Sequence, residues 1–114
     1  MANRSEFVEH VLEMISGCGP VSARSMFGGY GIYRENLMFA LVSEDTLYIK
    51  ADDTNRSEFE ALGLEPFRIS RMNTVMSYYE APADALDNPH QLCAWAMLGI
   101  EAAQRATKSK KPRT

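Results

Sequence analysis

The sequence is poor in the residues that build metal centres and disulfide frameworks. It has two cysteines, Cys18 and Cys93, and two histidines, His10 and His90. A zinc site needs three or four ligands at characteristic spacing, and these residues do not show it unless the fold brings them together. Small disulfide scaffolds use more cysteines at closer spacing. The sequence therefore predicts no metal, no cofactor and two reduced thiols.

Long apolar runs are also missing. No stretch approaches the roughly 18 apolar residues that a membrane span requires. Met1 is followed by Ala-Asn-Arg-Ser-Glu rather than by the apolar segment of a signal peptide. These features predict a cytoplasmic protein with no membrane association.

Basic residues are scarce except at the C-terminus. The formal net charge is −3, and four of the 12 basic residues lie within residues 108–114. The other eight stand against 15 acidic residues, so residues 1–107 carry a net charge of −7 and repel a polyphosphate. We expect one domain over residues 1–107, followed by a disordered basic tail. The alternative is that this tail contacts nucleic acid directly.

Motifs of nucleotide-binding and catalytic sites are absent from the sequence. The Gly-rich stretch Gly28–Gly31 lacks both the GxGxxG spacing and a following helix, so it is interpreted as a bulge or sharp bend in a strand. Ser25 and Ser77 do not lie in the GxSxG turn of a serine hydrolase. Glu80, beside two tyrosines, is the one carboxylate with an apolar setting suited to acid–base work. No nucleophile, base and orienting group can be assembled, and we expect the chain not to be an enzyme.

Helical periodicity and end signals predict a helix near each end of the domain. The first helix covers residues 4–16, with its apolar stripe at Phe7, Val8, Val11, Leu12 and Ile15. The last helix begins at the N-cap Asn88 with Pro89 in its first position, and runs to about residue 106. Its predicted inner face consists of Leu92, Trp95, Ala96, Gly99 and Ala103.

Short alternating runs between these helices predict antiparallel strands. Strands are expected near residues 21–27, 31–34, 37–42 and 46–51, with a tight turn at 34–36. A short helix follows the N-cap candidates Asp52-Asp53-Thr54, and a hairpin over residues 66–80 turns at Met72-Asn73. The fold class is α+β. Helix, three-strand meander, helix, hairpin and helix form two layers, with the helices on one face of an antiparallel sheet of about five strands.

The second face of the predicted sheet is rich in tyrosine. The strand tyrosines are Tyr30, Tyr33, Tyr48, Tyr78 and Tyr79. Their polar tips suit a face that is partly wet or covered by a partner. The strand arginines Arg24, Arg34, Arg68 and Arg71 with these rings could bind single-stranded nucleic acid, but pairing with carboxylates across strands explains them more simply.

Several blocks in register resemble a known family. In chain order the blocks are Met26–Tyr33, Met38–Val42, Asp45–Asp52, Pro66–Phe67, Met76–Pro82 and Trp95–Ala96. Over about residues 25–103 they closely resemble the N-terminal domain of the TfoX/Sxy regulators of natural competence. The resemblance implies a helix-on-sheet domain, similar to bacterial secretion chaperones, that often self-associates. The resemblance also implies a two-domain layout in full-length members, which help a cyclic-AMP-receptor-type activator to switch on DNA-uptake genes, and we expect 114 residues to leave no room for the second, helical domain. The resemblance transfers no catalytic residue.

The sequence and the resemblance together predict a non-enzymatic regulatory module that binds other proteins. The expected partners are a second copy of the chain and a transcription activator or a component of RNA polymerase. The predicted interaction residues are Gly28, Gly29, Tyr30, Arg68, Tyr78 and Tyr79. Two alternatives stay open: nucleic-acid binding through the basic tail, and binding of a small molecule in a pocket that sequence cannot reveal.

Overall fold

The computed structural model describes residues 6–26, 29–69 and 74–109, and it confirms the α+β class. Helices α1 (Glu6–Ile15), α2 (Arg56–Glu60) and α3 (Pro89–Ser109) pack on one sheet. Two 3₁₀ segments occupy Ser16–Cys18 and Ala83–Asp87. The strands are β1 (Ser22–Met26), β2 (Gly29–Arg34), β3 (Leu37–Ser43), β4 (Thr46–Lys50), β5 (Pro66–Ile69) and β6 (Thr74–Glu80).

The sheet has six strands in the order β1-β2-β3-β4-β6-β5, and every described pair is antiparallel. The four strand ranges predicted before α2 correspond to β1–β4 and the hairpin to β5 and β6, so the sheet has one strand more than the expected total of about five. β1 and β2 pair with each other, Met26 opposite Gly29, and so extend the meander to four strands. The predicted turn at Met72-Asn73 lies outside the described residues.

Two-residue turns set the register of the meander. Glu35 and Asn36 join β2 to β3, and Glu44 and Asp45 join β3 to β4, all four with positive φ between 52° and 67°. Turns of this left-handed kind match the right-handed twist of the strands they connect. The predicted tight turn after residue 34 is confirmed.

The core lies between the helices and one face of the sheet. Val8, Val11 and Ile15 of α1 are buried there, which confirms the predicted stripe, while Phe7 and Leu12 are half-buried against it. The inner face of α3 is confirmed as well, with Leu92, Ala96, Gly99 and Ala103 buried and Trp95 half-buried. The Asn88 side chain accepts a hydrogen bond from the Gln91 amide at 3.1 Å, as an N-cap should. α3 ends at Ser109, so Lys108 lies in its last turn rather than in the predicted tail.

Cys18 and Cys93 are joined by a disulfide bond, which overturns the prediction of two separate thiols. The residues are 75 positions apart in sequence, but their Cα atoms are 5.8 Å apart. That separation is ordinary for a disulfide. The bond exists because α1 and α3 lie side by side, a contact that residue spacing alone does not indicate.

Candidate interaction surface

The two faces of the sheet differ in what covers them. Ile32, Ala40, Val42, Leu47 and Ile49 point into the helix-covered core. Because neighbouring residues of a strand point to opposite faces, the residues between them form a second face. We call this the open sheet face and define it by Arg24, Tyr33, Leu41, Tyr48, Lys50, Phe67 and Tyr78. All described helices pack on the other side.

Aromatic rings and cations cover the open sheet face. The Tyr48 and Phe67 rings have centroids 4.7 Å apart. The Arg24 guanidinium carbon lies 4.4 Å from the centre of the Tyr33 ring, and the Lys50 ammonium lies 5.3 Å from that of Tyr78. A cation over an aromatic face is attracted by the ring quadrupole, so these pairs order the surface.

Two apolar groups on this face are buried although no described helix covers them. Leu41 and Tyr78 are each only 6% exposed, yet neither belongs to the main core. Burial raises the pKa of the Tyr78 hydroxyl to about 12, with a smaller contribution from the charge of Tyr33. The pKa of Tyr48 is raised too, first by burial and then by Glu80 and Glu44. The open sheet face therefore has a buried centre, formed by Leu41 and Tyr78, among more exposed aromatic and charged side chains.

The raised pKa of Tyr78 predicts loss of stability in alkali. The folded protein holds the phenolic proton more tightly than the unfolded chain, whose tyrosine titrates near pH 10. Tyr78 therefore contributes fully below about pH 10, and this contribution is lost as pH rises to about 12. The loss should be at most about 2–3 kcal/mol. Urea unfolding from pH 8 to 12 measures the free energy of unfolding as a function of pH. Tyr78→Phe should reduce its fall above pH 10 more than Tyr48→Phe does. Equal curves for the two variants would contradict the assignment of the loss to Tyr78.

The six predicted interaction residues do not lie together. Tyr78 is on the open sheet face, whereas Tyr30 packs against the core on the opposite face. Tyr79 also faces the helices: its ring stacks on Phe59 at 5.4 Å, and its hydroxyl donates to Glu60 at 3.0 Å. Arg68 lies on β5 opposite Val75, and Gly28 lies outside the described residues.

Gly29 has a packing role that needs no partner. A Cβ atom built on it would collide with the backbone carbonyl oxygen of Val42 on β3. The residue is thus a glycine because β2 and β3 approach each other closely at this point. Its place in the sheet is explained without a ligand.

Sequence reasoning did not place Leu41 and Phe67 on the open sheet face, and it grouped all five tyrosines together. The sequence could have separated two of these tyrosines, because Tyr78 and Tyr79 are consecutive in one strand and consecutive side chains point to opposite faces of a sheet. Phe67 gave no such signal, because its contact with Tyr48 crosses from β5 over β6 to β4.

A polar cleft of about 510 Å³ opens on the helix side, between β4, β6 and the C-terminal half of α3. Arg105 donates two hydrogen bonds to Asp52, at 2.7 and 3.0 Å, and this lowers the pKa of the Asp52 carboxyl. Arg56 is paired with Asp53 in the same cleft. Each of the two arginines in this cleft is therefore paired with a carboxylate.

Within residues 6–26, 29–69 and 74–109, no three His, Cys, Asp or Glu side chains come close enough to hold a metal ion. His10 instead lies 2.9 Å from the carbonyl oxygen of Leu86. No helix in those ranges is long and apolar enough to cross a membrane.

Comparison with known proteins identifies the family. The family model of the TfoX N-terminal domain matches residues 13–103, which is most of the chain. The chain belongs to the TfoX N-terminal domain family. It is 28% identical over 109 residues to the DNA transformation protein TfoX1 of Aliivibrio fischeri, covering 94% of this chain and 52% of that protein. It is 30% identical over 94 residues to the DNA transformation protein TfoX of Haemophilus influenzae, covering 79% and 43% respectively.

The match to the TfoX N-terminal domain contains all six strands and both cysteines. The open sheet face is therefore built entirely from the family's own domain. The chain spans about half the length of the relatives it matches.

Proposed function

We propose that the chain is a non-enzymatic regulatory domain, related to DNA transformation, that works by binding other proteins through its open sheet face. The observation that carries the proposal is the contrast between the two faces. One face buries the core beneath three helices, and the other presents tyrosine, phenylalanine and cationic side chains with no described helix over them. The names of the relatives, both DNA transformation proteins, support the biological setting.

The composition of the open sheet face suits a protein partner. Tyrosine and arginine are enriched at the energetic centres of protein interfaces because they bury large rigid areas while keeping a polar group for hydrogen bonds. Arg24 also donates to Asn36 at 3.3 Å, which holds it in place beside Tyr33. A partner would bury the half-exposed rings of Tyr33 and Tyr48 without reorganising the sheet.

We infer that one partner is a second copy of the chain and that another is a transcription activator or an RNA polymerase component. The net charge of −7 over residues 1–107 disfavours binding of nucleic acid to this surface. Contact between the basic end of the chain and nucleic acid is the weaker proposal. A variant lacking residues 108–114 tests it, since it should then lose binding to a short DNA duplex at low salt.

Replacing Tyr33 and Tyr48 with alanine tests the proposed surface. Loss of two half-exposed rings from an interface centre should raise the dissociation constant of a homodimer at least tenfold, which corresponds to about 1.4 kcal/mol. Sedimentation over a wide range of concentrations measures the constant, and circular dichroism checks the fold. Leu62→Ala is the matched control, because Leu62 is 57% exposed on a different part of the molecule.

Three outcomes separate the possibilities. If the double tyrosine variant associates as tightly as the wild type and the Leu62→Ala control do, the surface is wrongly assigned. If the wild-type chain stays monomeric at every concentration, the homodimer is wrong. Co-elution of the purified chain with a purified activator from its own cell, lost in the double tyrosine variant, would then still support the protein-binding function.

A further inference from the structure

The disulfide between Cys18 and Cys93 connects the two helices of the core to each other. Cys18 ends the 3₁₀ turn that follows α1, and Cys93 lies in the second turn of α3. Both residues are partly exposed rather than buried. A fully buried bridge would exchange only after unfolding, whereas partial exposure favours exchange in the folded protein.

A guanidinium lies against the segment that carries Cys18. The Nη1 atom of Arg34 donates to the Cys18 carbonyl oxygen at 3.0 Å and approaches the Met97 sulfur at 3.9 Å. Met97 lies one turn after Cys93 on the same helix, so Arg34 lies between the two segments that carry the cysteines. A neighbouring cation stabilises a thiolate, which is both the attacking and the leaving species in thiol–disulfide exchange.

We propose that Cys18 and Cys93 form a reversible redox switch that locks α1 against α3. The oxidant is a small-molecule disulfide such as glutathione disulfide. One cysteine thiolate attacks it to give a mixed disulfide and releases one glutathione thiol. The second cysteine thiolate then displaces the other glutathione thiol as the protein bridge forms, so two electrons pass from the protein to the oxidant. A dithiol reverses the reaction by the same exchanges. This inference is independent of the proposed function.

The reduced protein should stay folded, because other contacts hold α1. Val8, Val11 and Ile15 are buried in the core, and His10 contacts the Leu86 carbonyl. Release of a cross-link that closes a long loop should lower Tm by roughly 10–15 °C. The effect should be local, with faster amide exchange in α1 and unchanged exchange in the central strands β3 and β4.

The test equilibrates the whole chain in glutathione mixtures from fully reduced to fully oxidised. Rapid alkylation and intact mass measure the bridged fraction, and hydrogen exchange measures α1. We expect both forms across mixtures in which glutathione is itself partly oxidised, with α1 exchanging several-fold faster in the reduced form. In Cys18→Ser and Cys93→Ser the remaining thiol can go no further than the mixed disulfide with glutathione, so neither variant should form the bridge and both should keep the fast α1 exchange of the reduced wild type in every mixture. Arg34→Gln should slow reduction of the bridge several-fold.

Three results would overturn the switch. A bridge that persists in a large excess of reduced glutathione is a permanent structural cross-link. Thiols that stay free in glutathione disulfide alone never form the bond in solution. Equal amide hydrogen exchange of α1 in the oxidised and reduced protein would mean that the bond does not stabilise α1 against α3.

Discussion

Gly99→Ala is expected to destabilise the protein by about 2–4 kcal/mol, although alanine is the better helix former. A Cβ atom on Gly99 would lie 2.6 Å from the carbonyl oxygen of Phe39 and 2.7 Å from the Cγ2 atom of Ile49. Alanine gains about 1 kcal/mol of helix propensity, but the oxygen belongs to the β3 backbone and cannot rotate away. α3 would have to lift from the sheet and open the core beneath it.

Gly17→Ala is the matched control for this substitution. No atom lies within 4 Å of a Cβ built on Gly17, so the change should alter stability by less than about 0.5 kcal/mol. Urea denaturation of the two variants and the wild type measures the difference. If Gly99→Ala is as stable as Gly17→Ala, then α3 does not approach the sheet as closely as the structure has it.

Local signals in the sequence predicted the elements well. The N-cap at Asn88 and the apolar spacing from Leu92 to Ala103 fix α3 and its inner face before any tertiary contact is known. The turn residues Glu35 and Asn36 likewise indicate a hairpin from their short polar link alone. Each of these features depends on residues within one or two turns of each other, which is the range that sequence patterns report.

Features that depend on distant residues could not be predicted. The Cys18–Cys93 bond requires α1 to lie along α3, and nothing in the spacing of two cysteines indicates that. The open sheet face required the strand order, because β6 inserts beside β4 and thereby brings Tyr78 close to Lys50. The alternation of side chains along a strand places Tyr78 and Tyr79 on opposite faces of the sheet. Only the packing of the helices shows that Tyr78 is the one on the open sheet face.

The N-cap of α2 was predicted within Asp52-Asp53-Thr54, but the residue at the N-cap is Asn55. Asp52 does accept hydrogen bonds from the amides of Thr54 and Asn55 at 3.0 and 3.2 Å, as the cap signal indicated. Asn55, however, is the buried polar residue, at 3% exposure. Asn55 follows three other polar residues, Asp52-Asp53-Thr54, and nothing in that polar run indicates that it is buried.

Asn55→Ala is expected to cost about 2–3 kcal/mol. The Asn55 side chain accepts from the Asp52 amide at 2.8 Å and donates to the carbonyl oxygens of Lys50 at 3.3 Å and Leu98 at 3.0 Å. It thus joins the end of β4, the start of α2 and the middle of α3. Alanine would remove all three of these part-buried hydrogen bonds to backbone groups, and polar groups that lose their partners away from water are costly.

Asn55→Asp distinguishes hydrogen bonding from packing at this position. The carboxylate keeps the shape but turns two donors into a charge facing two carbonyl oxygens, so at neutral pH it should destabilise at least as much as alanine. The pKa of the introduced aspartate should lie above that of an unfolded aspartate, so the folded protein should regain stability as pH falls and lose it as pH rises.

Asn88→Ala is the control: it removes one exposed cap and should cost about 1 kcal/mol at every pH. Equal losses for Asn55→Asp at pH 5 and pH 8 would show that Asn55 acts by filling space rather than by joining the three elements.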